Sequence, residues 1–167
     1  MTFPARTEFG LTRTTCECKA CATFCSHMPG FLVPADLDRL AALDTDIYAW
    51  AREHLRASPG ALVMVSQTRE QFRIRTLVPA ATPTGACHWL VAGRCSIHAI
   101  APYGCAFTDT HQSGSVADAV SHAGLMAVLR AWQDETLYSV VWEHLHDAGL
   151  VTTSPEERRA AMASARS

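Results

Sequence analysis

Seven cysteines in two tight blocks constrain this chain more than any other feature. The first block reads Cys16-x-Cys18-x2-Cys21-x3-Cys25 and the second Cys87-x7-Cys95-x9-Cys105, with no cysteine outside them. An odd count leaves one thiol over in any disulfide framework. Residues 1–10 contain no apolar run of secretory-leader length, so the chain is expected in the cytoplasm, where thiols stay reduced. One or two reduced cysteines in a core would need no account. Four within ten residues do, and metal binding is the first explanation. Short loops let several sulfurs converge on one point, and thiolates favour zinc, iron–sulfur clusters and cuprous ions.

The spacing bears on which metal. Structural zinc sites are commonly built from two Cys-x2–4-Cys arms. Cys18–Cys21 and Cys21–Cys25 each qualify, but the second block offers no such arm. Iron–sulfur clusters take irregular runs completed by a distant cysteine, so a cluster is preferred over zinc. Closing the roughly sixty-residue loop between the blocks costs about 3.7 kcal/mol beyond a constant. Structural zinc binding is worth roughly 10–16 kcal/mol, so both blocks can converge on one site or on two adjacent sites.

The rest of the chain predicts a small α+β single domain: a cysteine-rich, metal-bound core, a β-hairpin and flanking helices. Its 167 residues, about half of them apolar, suffice for one folded core. A net charge of −2 argues against a nucleic-acid partner. No eighteen-residue apolar stretch occurs, so no membrane span is expected. Residues 1–15 read as an extended lead-in. Leu37, Leu40, Leu43, Ile47, Trp50 and Leu55 recur at helical spacing after Pro34, as one helix or as two broken near Asp44–Asp46, until Ser58-Pro59-Gly60. Leu62–Val65 and residues 71–78 read as a hairpin around Ser66–Glu70, with Phe72, Ile74 and Thr76 on its inner face. Gly93-Arg94 marks a small turn between two short extended pieces. A helical pattern runs from Ser115, which with Asp118 resembles a capping box although the box prefers Glu or Gln at its second place, to about Ala148, with Gly149 as C-cap and Gly124 or Gln133 as points of division. The metal-binding domain is expected over residues 1–150 and a flexible tail over 151–167.

The second block carries a resemblance. Cys87-His88-Trp89-Leu90, then Gly93-Arg94-Cys95-Ser96-Ile97-His98, then Pro102-Tyr103-Gly104-Cys105 resembles the YkgJ-type cysteine-cluster family. The opening cysteine run followed by Met28-Pro29-Gly30-Phe31 and Pro34 is similar to a subset of the same family, and the likeness covers roughly residues 16–111. Cys21 and Cys25 stand apart where many members have an adjacent pair, and Ala101 and Ala106 stand where many carry basic residues. The resemblance implies a zinc- or iron-chelating domain, or one that contains an iron–sulfur cluster.

All seven cysteines are therefore candidate ligands. His27, His88 and His98 each lie within three residues of a cysteine and could complete a shell, with His98 favoured because the resemblance places an aromatic or histidine there. Asp109-x-His111 follows the last cysteine: His111 is a further candidate ligand, and the pair reads as an oriented imidazole, an acid–base pair or a polar loop. His144 and His146 would point apart on a helix and read as a solvated face. Three functions remain open. The first is a metal or iron–sulfur protein with a redox role, the second a zinc-stabilised module that binds a protein partner without chemistry. The third is a metal-dependent oxidoreductase or other metalloenzyme using Asp109 and His111.

Overall fold

The computed structural model describes residues 8–42, 46–64, 69, 71–132 and 135–164. Among these residues, seven α-helices and six short strands form an α+β domain. The helices are α1 (Lys19–His27), α2 (Pro34–Ala41), α3 (Ile47–His54), α4 (Tyr103–Ala106), α5 (Gly114–Ala131), α6 (Leu137–Asp147) and α7 (Pro155–Ser164). The strands pair antiparallel as β1 (Leu55–Ala57) with β4 (Leu77–Pro79), β2 (Ala61–Met64) with β3 (Gln71–Ile74), and β5 (Leu90–Val91) with β6 (Arg94–Cys95).

The core gathers where α2, α3, α5 and α6 meet, with Leu32, Leu37, Leu55, Tyr103, Phe107, Tyr138 and Trp142 fully enclosed. Two buried polar groups tie distant segments across it. The Tyr138 hydroxyl accepts from Leu77 N at 2.7 Å and donates to Leu32 O at 3.3 Å. The Asp36 carboxylate accepts from Val33 N at the start of α2 and from Tyr103 N at the start of α4. Both arrangements supply partners to backbone groups that would otherwise be buried without them.

The helical pattern after Pro34 divides into α2 and α3, and the expected break at Asp44 and Thr45 lies outside the described residues. Leu55 leaves the helical register and enters β1, because its backbone pairs with Pro79. The hairpin forms as β2 and β3, with Val65–Thr68 and Glu70 outside the described residues. Ile74 and Thr76 are buried as expected, but residues 71–78 form two strands that pair with different partners. The long C-terminal pattern divides between α5 and α6, not at Gly124. Gly124 is glycine for space: a Cβ there would lie 2.5 Å from Tyr103 Cε1 and 2.6 Å from Phe31 Cζ. The N-cap of α5 is Ser113 rather than Ser115. Gly149 closes α6 at φ +71°, with Gly149 N bonded to His146 O and Leu150 N to Leu145 O, the two bonds of a Schellman motif.

Residues 155–164, expected in a flexible tail, form α7. Buried Pro155, a bond from Trp142 Nε1 to Thr153 O at 2.9 Å and above all one long side chain fasten it. The Arg158 guanidinium lies 3.8 Å from the Trp132 ring centroid and 4.0 Å from that of Trp142, and donates to Arg75 O at 2.6 Å. Burial lowers its pKa to about 10, which leaves it charged at neutral pH. Desolvated cation–π contacts are worth about 2 kcal/mol. Arg158→Met is therefore expected to destabilise the protein by about 2 kcal/mol, read as a lower denaturant midpoint. A midpoint equal to that of the wild type would show that α7 is not clamped in this way.

Candidate metal centre

The first cysteine block starts in extended chain and runs into α1. Cys18 is the N-cap of that helix, and its Sγ accepts from Cys21 N at 3.5 Å. Cys16, Cys18 and Cys21 meet His111 so that their four ligand atoms all lie within 4.8 Å of one another. Cys18 Sγ and His111 Nε2 are 3.4 Å apart, and Cys21 Sγ is 3.3 Å from Thr110 Oγ1. Among the described residues this is the group of His, Cys, Asp or Glu donors compact enough for a single ion. Three soft sulfurs and one imidazole are a known donor set for zinc.

Two residues outside the donor set position it. Thr14 Oγ1 accepts from Cys16 N at 3.2 Å, and Asp109 Oδ1 accepts from His111 N at 2.8 Å. Each is a side chain binding the backbone two residues on, the geometry of an ST-turn and an Asx-turn. The two side chains are joined by Thr14 Oγ1 donating to Asp109 Oδ2 at 2.6 Å. Thr14 N also bonds to Ala106 O at the end of α4. A ligand turn from the N-terminal segment and one from residues 109–111 are thus fixed to each other. The Thr14 hydrogen bond, followed by the His111 backbone and imidazole, holds the Asp109 carboxyl below its ordinary value against some burial. Asp109 therefore sets the loop that carries His111; its bond goes to the His111 backbone and not to the ring.

The remaining thiols come together as a second, looser group. Cys25, in the last turn of α1, accepts at its backbone oxygen from Cys87 N at 2.6 Å. An isolated bridge between Ala81 and Cys87 closes the preceding loop. Leu90 N bonds to Cys87 O, and Leu90 faces Cys95 across a two-residue turn formed by Ala92 and Gly93, both at positive φ. The turn was expected at Gly93-Arg94; it lies one residue earlier, because Arg94 pairs with Val91 in β6 and Gly93 supplies a left-handed residue. Cys105 lies in α4, with Sγ 3.9 Å from Gly30 O. The two cysteine blocks therefore meet in space. Cys16, Cys21, Cys25, Cys95 and Cys105 all face one cavity of about 530 Å³, which Phe24 and other apolar side chains also line.

The two groups differ in how readily they ionise. Backbone N–H of Cys21, then the neighbouring Cys16 thiol, lower the pKa of exposed Cys18. The Cys16 thiol stays above its ordinary value despite a bond from the Cys18 backbone, because the Cys18 and Cys21 side chains oppose its ionisation. Burial, reinforced by Cys95 and Cys87, pushes Cys25 up to about 11. Burial also raises Cys87, Cys95 and, most strongly, Cys105. Thiolate is the reactive form. With limiting alkylating agent, metal-free protein is therefore expected to label first at Cys18 and last at Cys105, as read by peptide mass mapping. Equal rates at the two positions would contradict this order.

The other histidines lie elsewhere. His98 Nε2 is 3.8 Å from Glu17 Oε1, outside the compact group though on the cavity wall, and its backbone oxygen accepts from Arg13. His27 is exposed at the end of α1 beside the same cavity. His88 stacks among Trp89 and His54, and burial, then His54, lowers its pKa. His144 packs on Tyr48, and His146 lies 3.7 Å from Asp147. Thr14 and Thr110 were not singled out by the sequence. A Thr two residues before a candidate ligand was the one signal for Thr14. Compared with protein-family models, curated proteins and solved structures, the chain matches none. No helix among the described residues is long and apolar enough to cross a membrane.

Proposed function

We propose that this protein is a metal-binding cysteine-cluster protein, with a single tetrahedral ion of the zinc type held by Cys16, Cys18, Cys21 and His111. The observation that carries the reading is that those four donor atoms all lie within 4.8 Å of one another. Zinc–sulfur bonds of about 2.3 Å place tetrahedral sulfurs about 3.8 Å apart, so a small inward movement completes the shell. The resemblance to the YkgJ-type family implies the same class of function.

Cys18 and His111 lie at the surface, so the ion is open to exchange with a chelator or another protein's ligands. The residues do two things for it. Cys18 presents a thiolate at a helix N-terminus, where positive charge from unpaired N–H groups favours the anion. Thr14 and Asp109 hold the two ligand turns at fixed separation. The test is metal content and competition against a coloured chelator. Cys18→Ser with His111→Ala should lose one equivalent of zinc. Asp109→Ala should keep the stoichiometry but bind about 10–100-fold more weakly, because it orients a ligand without touching the ion. Wild-type zinc retention in the double variant would overturn the reading.

A further inference from the structure

We propose that Cys18 and Cys21 are a redox-active dithiol, which closes to a disulfide on reaction with a low-molecular-weight disulfide such as oxidised glutathione and then lets the ion go. The release rests on the metal site proposed above; the thiol chemistry needs only the two cysteines.

Geometry selects the pair. Cys18 is the N-cap of α1 and Cys21 lies in its first turn. Cα atoms three positions apart at the start of a helix are about 5 Å apart, inside the range of roughly 4.4–6.8 Å that a disulfide spans. The two sulfurs already lie within 4.8 Å of each other. Cys21 N donates to Cys18 Sγ at 3.5 Å, so the Cys18 side chain is folded over the turn that carries Cys21. Rotation of the two side chains closes the remaining gap. Cys16 precedes the helix, with its backbone N tied to Thr14 Oγ1, and Cys25 stands a full turn further along α1, outside the compact group. Access points to the same pair. Cys18 is the exposed cysteine of the seven, open to a small reagent, and a helix N-terminus favours its thiolate, the attacking form.

The step balances with the small disulfide as the one oxidant. The Cys18 sulfur attacks one of its sulfurs, forms a mixed disulfide and expels a small thiolate. The Cys21 sulfur then attacks Cys18 Sγ, forms the internal bond and expels the second small thiolate. Two electrons pass from the two protein thiolates to the small disulfide, and the expelled thiolates take two protons from solvent. The ion keeps Cys16 and His111 alone, short of the four ligands of a structural zinc site, and leaves with its charge. A small dithiol reverses the bond by the same exchange and restores the shell.

Peptide mapping reads the bond directly, because cleavage after Glu17 and after Lys19 places Cys16, Cys18 and Cys21 on three different peptides. The full chain, zinc-loaded and metal-free, is incubated with excess oxidised glutathione and a coloured zinc chelator. Both forms should acquire a bond between Cys18 and Cys21. The loaded form should release its zinc at least about tenfold faster than without the oxidant, and rebind it after dithiothreitol. Cys21→Ser should stop at one glutathione on Cys18, whereas Cys16→Ser should still form the internal bond. An untreated chain that holds no zinc would overturn the metal site and with it the release; the bond in the metal-free chain is read independently of that outcome. Three results would each overturn the proposal: no bond between Cys18 and Cys21 in either form, Cys16 joined to one of them in its place, or zinc retained by the chain that carries the bond.

Discussion

Replacing Gly30 by Ala should unfold the protein or cost it at least about 3 kcal/mol, the upper range for overpacking a tight site. The chain leaving α1 crosses the start of α4 with backbone against backbone. A Cβ on Gly30 would lie 2.8 Å from Gly104 Cα and nearer still to the Gly104 carbonyl carbon and Cys105 N. A Cβ on Gly104 would lie 2.5 Å from Phe31 N. Neither glycine has a positive φ, so the requirement is for space and not for conformation. Backbone atoms cannot swing aside as a flexible side chain can. Separation of the two chains would carry Cys105 away from Cys25 and, through Thr14 N on Ala106 O, loosen the compact group as well. Two other glycines calibrate the effect. Gly124→Ala meets side chains of Tyr103 and Phe31, which can shift, so its cost should be smaller. Gly149→Ala meets nothing within 4 Å but sits at φ +71°, so about 1 kcal/mol is expected. Chemical denaturation of the three variants should give midpoints falling in the order Gly149→Ala, Gly124→Ala, Gly30→Ala. A Gly30→Ala midpoint within error of the wild type would refute the close crossing.

That crossing shows where the sequence stopped being legible. Met28-Pro29-Gly30 reads as a turn and Pro102-Tyr103-Gly104-Cys105 as a motif, but nothing local says that the two glycines touch. Contacts between residues more than seventy positions apart leave no periodicity. Local chemistry was readable. The hairpin turn before Cys95, the C-cap at Gly149 and the hairpin of β2 and β3 follow from turn residues and alternation, and the structure has them. The α+β class followed from the same signals. Helix boundaries shifted where tertiary pairing intervened, as at Leu55, and the last helix was missed because its hold on the core lies in scattered contacts with no periodicity: Pro155 and Arg158 are buried, and Trp142 Nε1 donates to Thr153 O just before it. At the site, residue types and spacing marked the thiols as candidate ligands, and the structure brings three of them together with His111. The spacing did not divide the first block, in which Cys25 turns toward Cys87 while Cys16, Cys18 and Cys21 turn toward His111. Helical geometry accounts for this in retrospect: Cys18 caps α1 and Cys25 lies in its last turn, about two turns away.

Metal removal should release one part of the molecule and spare the other. No residue of α1 is buried, and β5 and β6 contain no buried residue either. These elements contact one another but contribute nothing to the core cluster around Leu37, Tyr103 and Trp142. Without apolar burial, a nine-residue helix is too short to persist alone in water. On the proposed reading its order comes from ligation, because binding to a site absent from the disordered segment becomes ordering free energy. Chelation should therefore raise hydrogen exchange by at least about 100-fold across residues 16–27 and 88–97, since a loss of about 2.7 kcal/mol of local stability corresponds to a hundredfold. Amides of α5 and α6 should change far less, because Val120, Val128, Val141 and Leu145 keep their packing. Thermal unfolding should fall with the metal while far-ultraviolet helicity remains largely intact before the transition. Exchange by mass spectrometry resolves the segments directly. Unchanged protection of residues 16–27 after verified metal loss would mean that packing, and not coordination, orders the cysteine blocks. In that case the thiols would form a preorganised site, and metal affinity would no longer be coupled to folding.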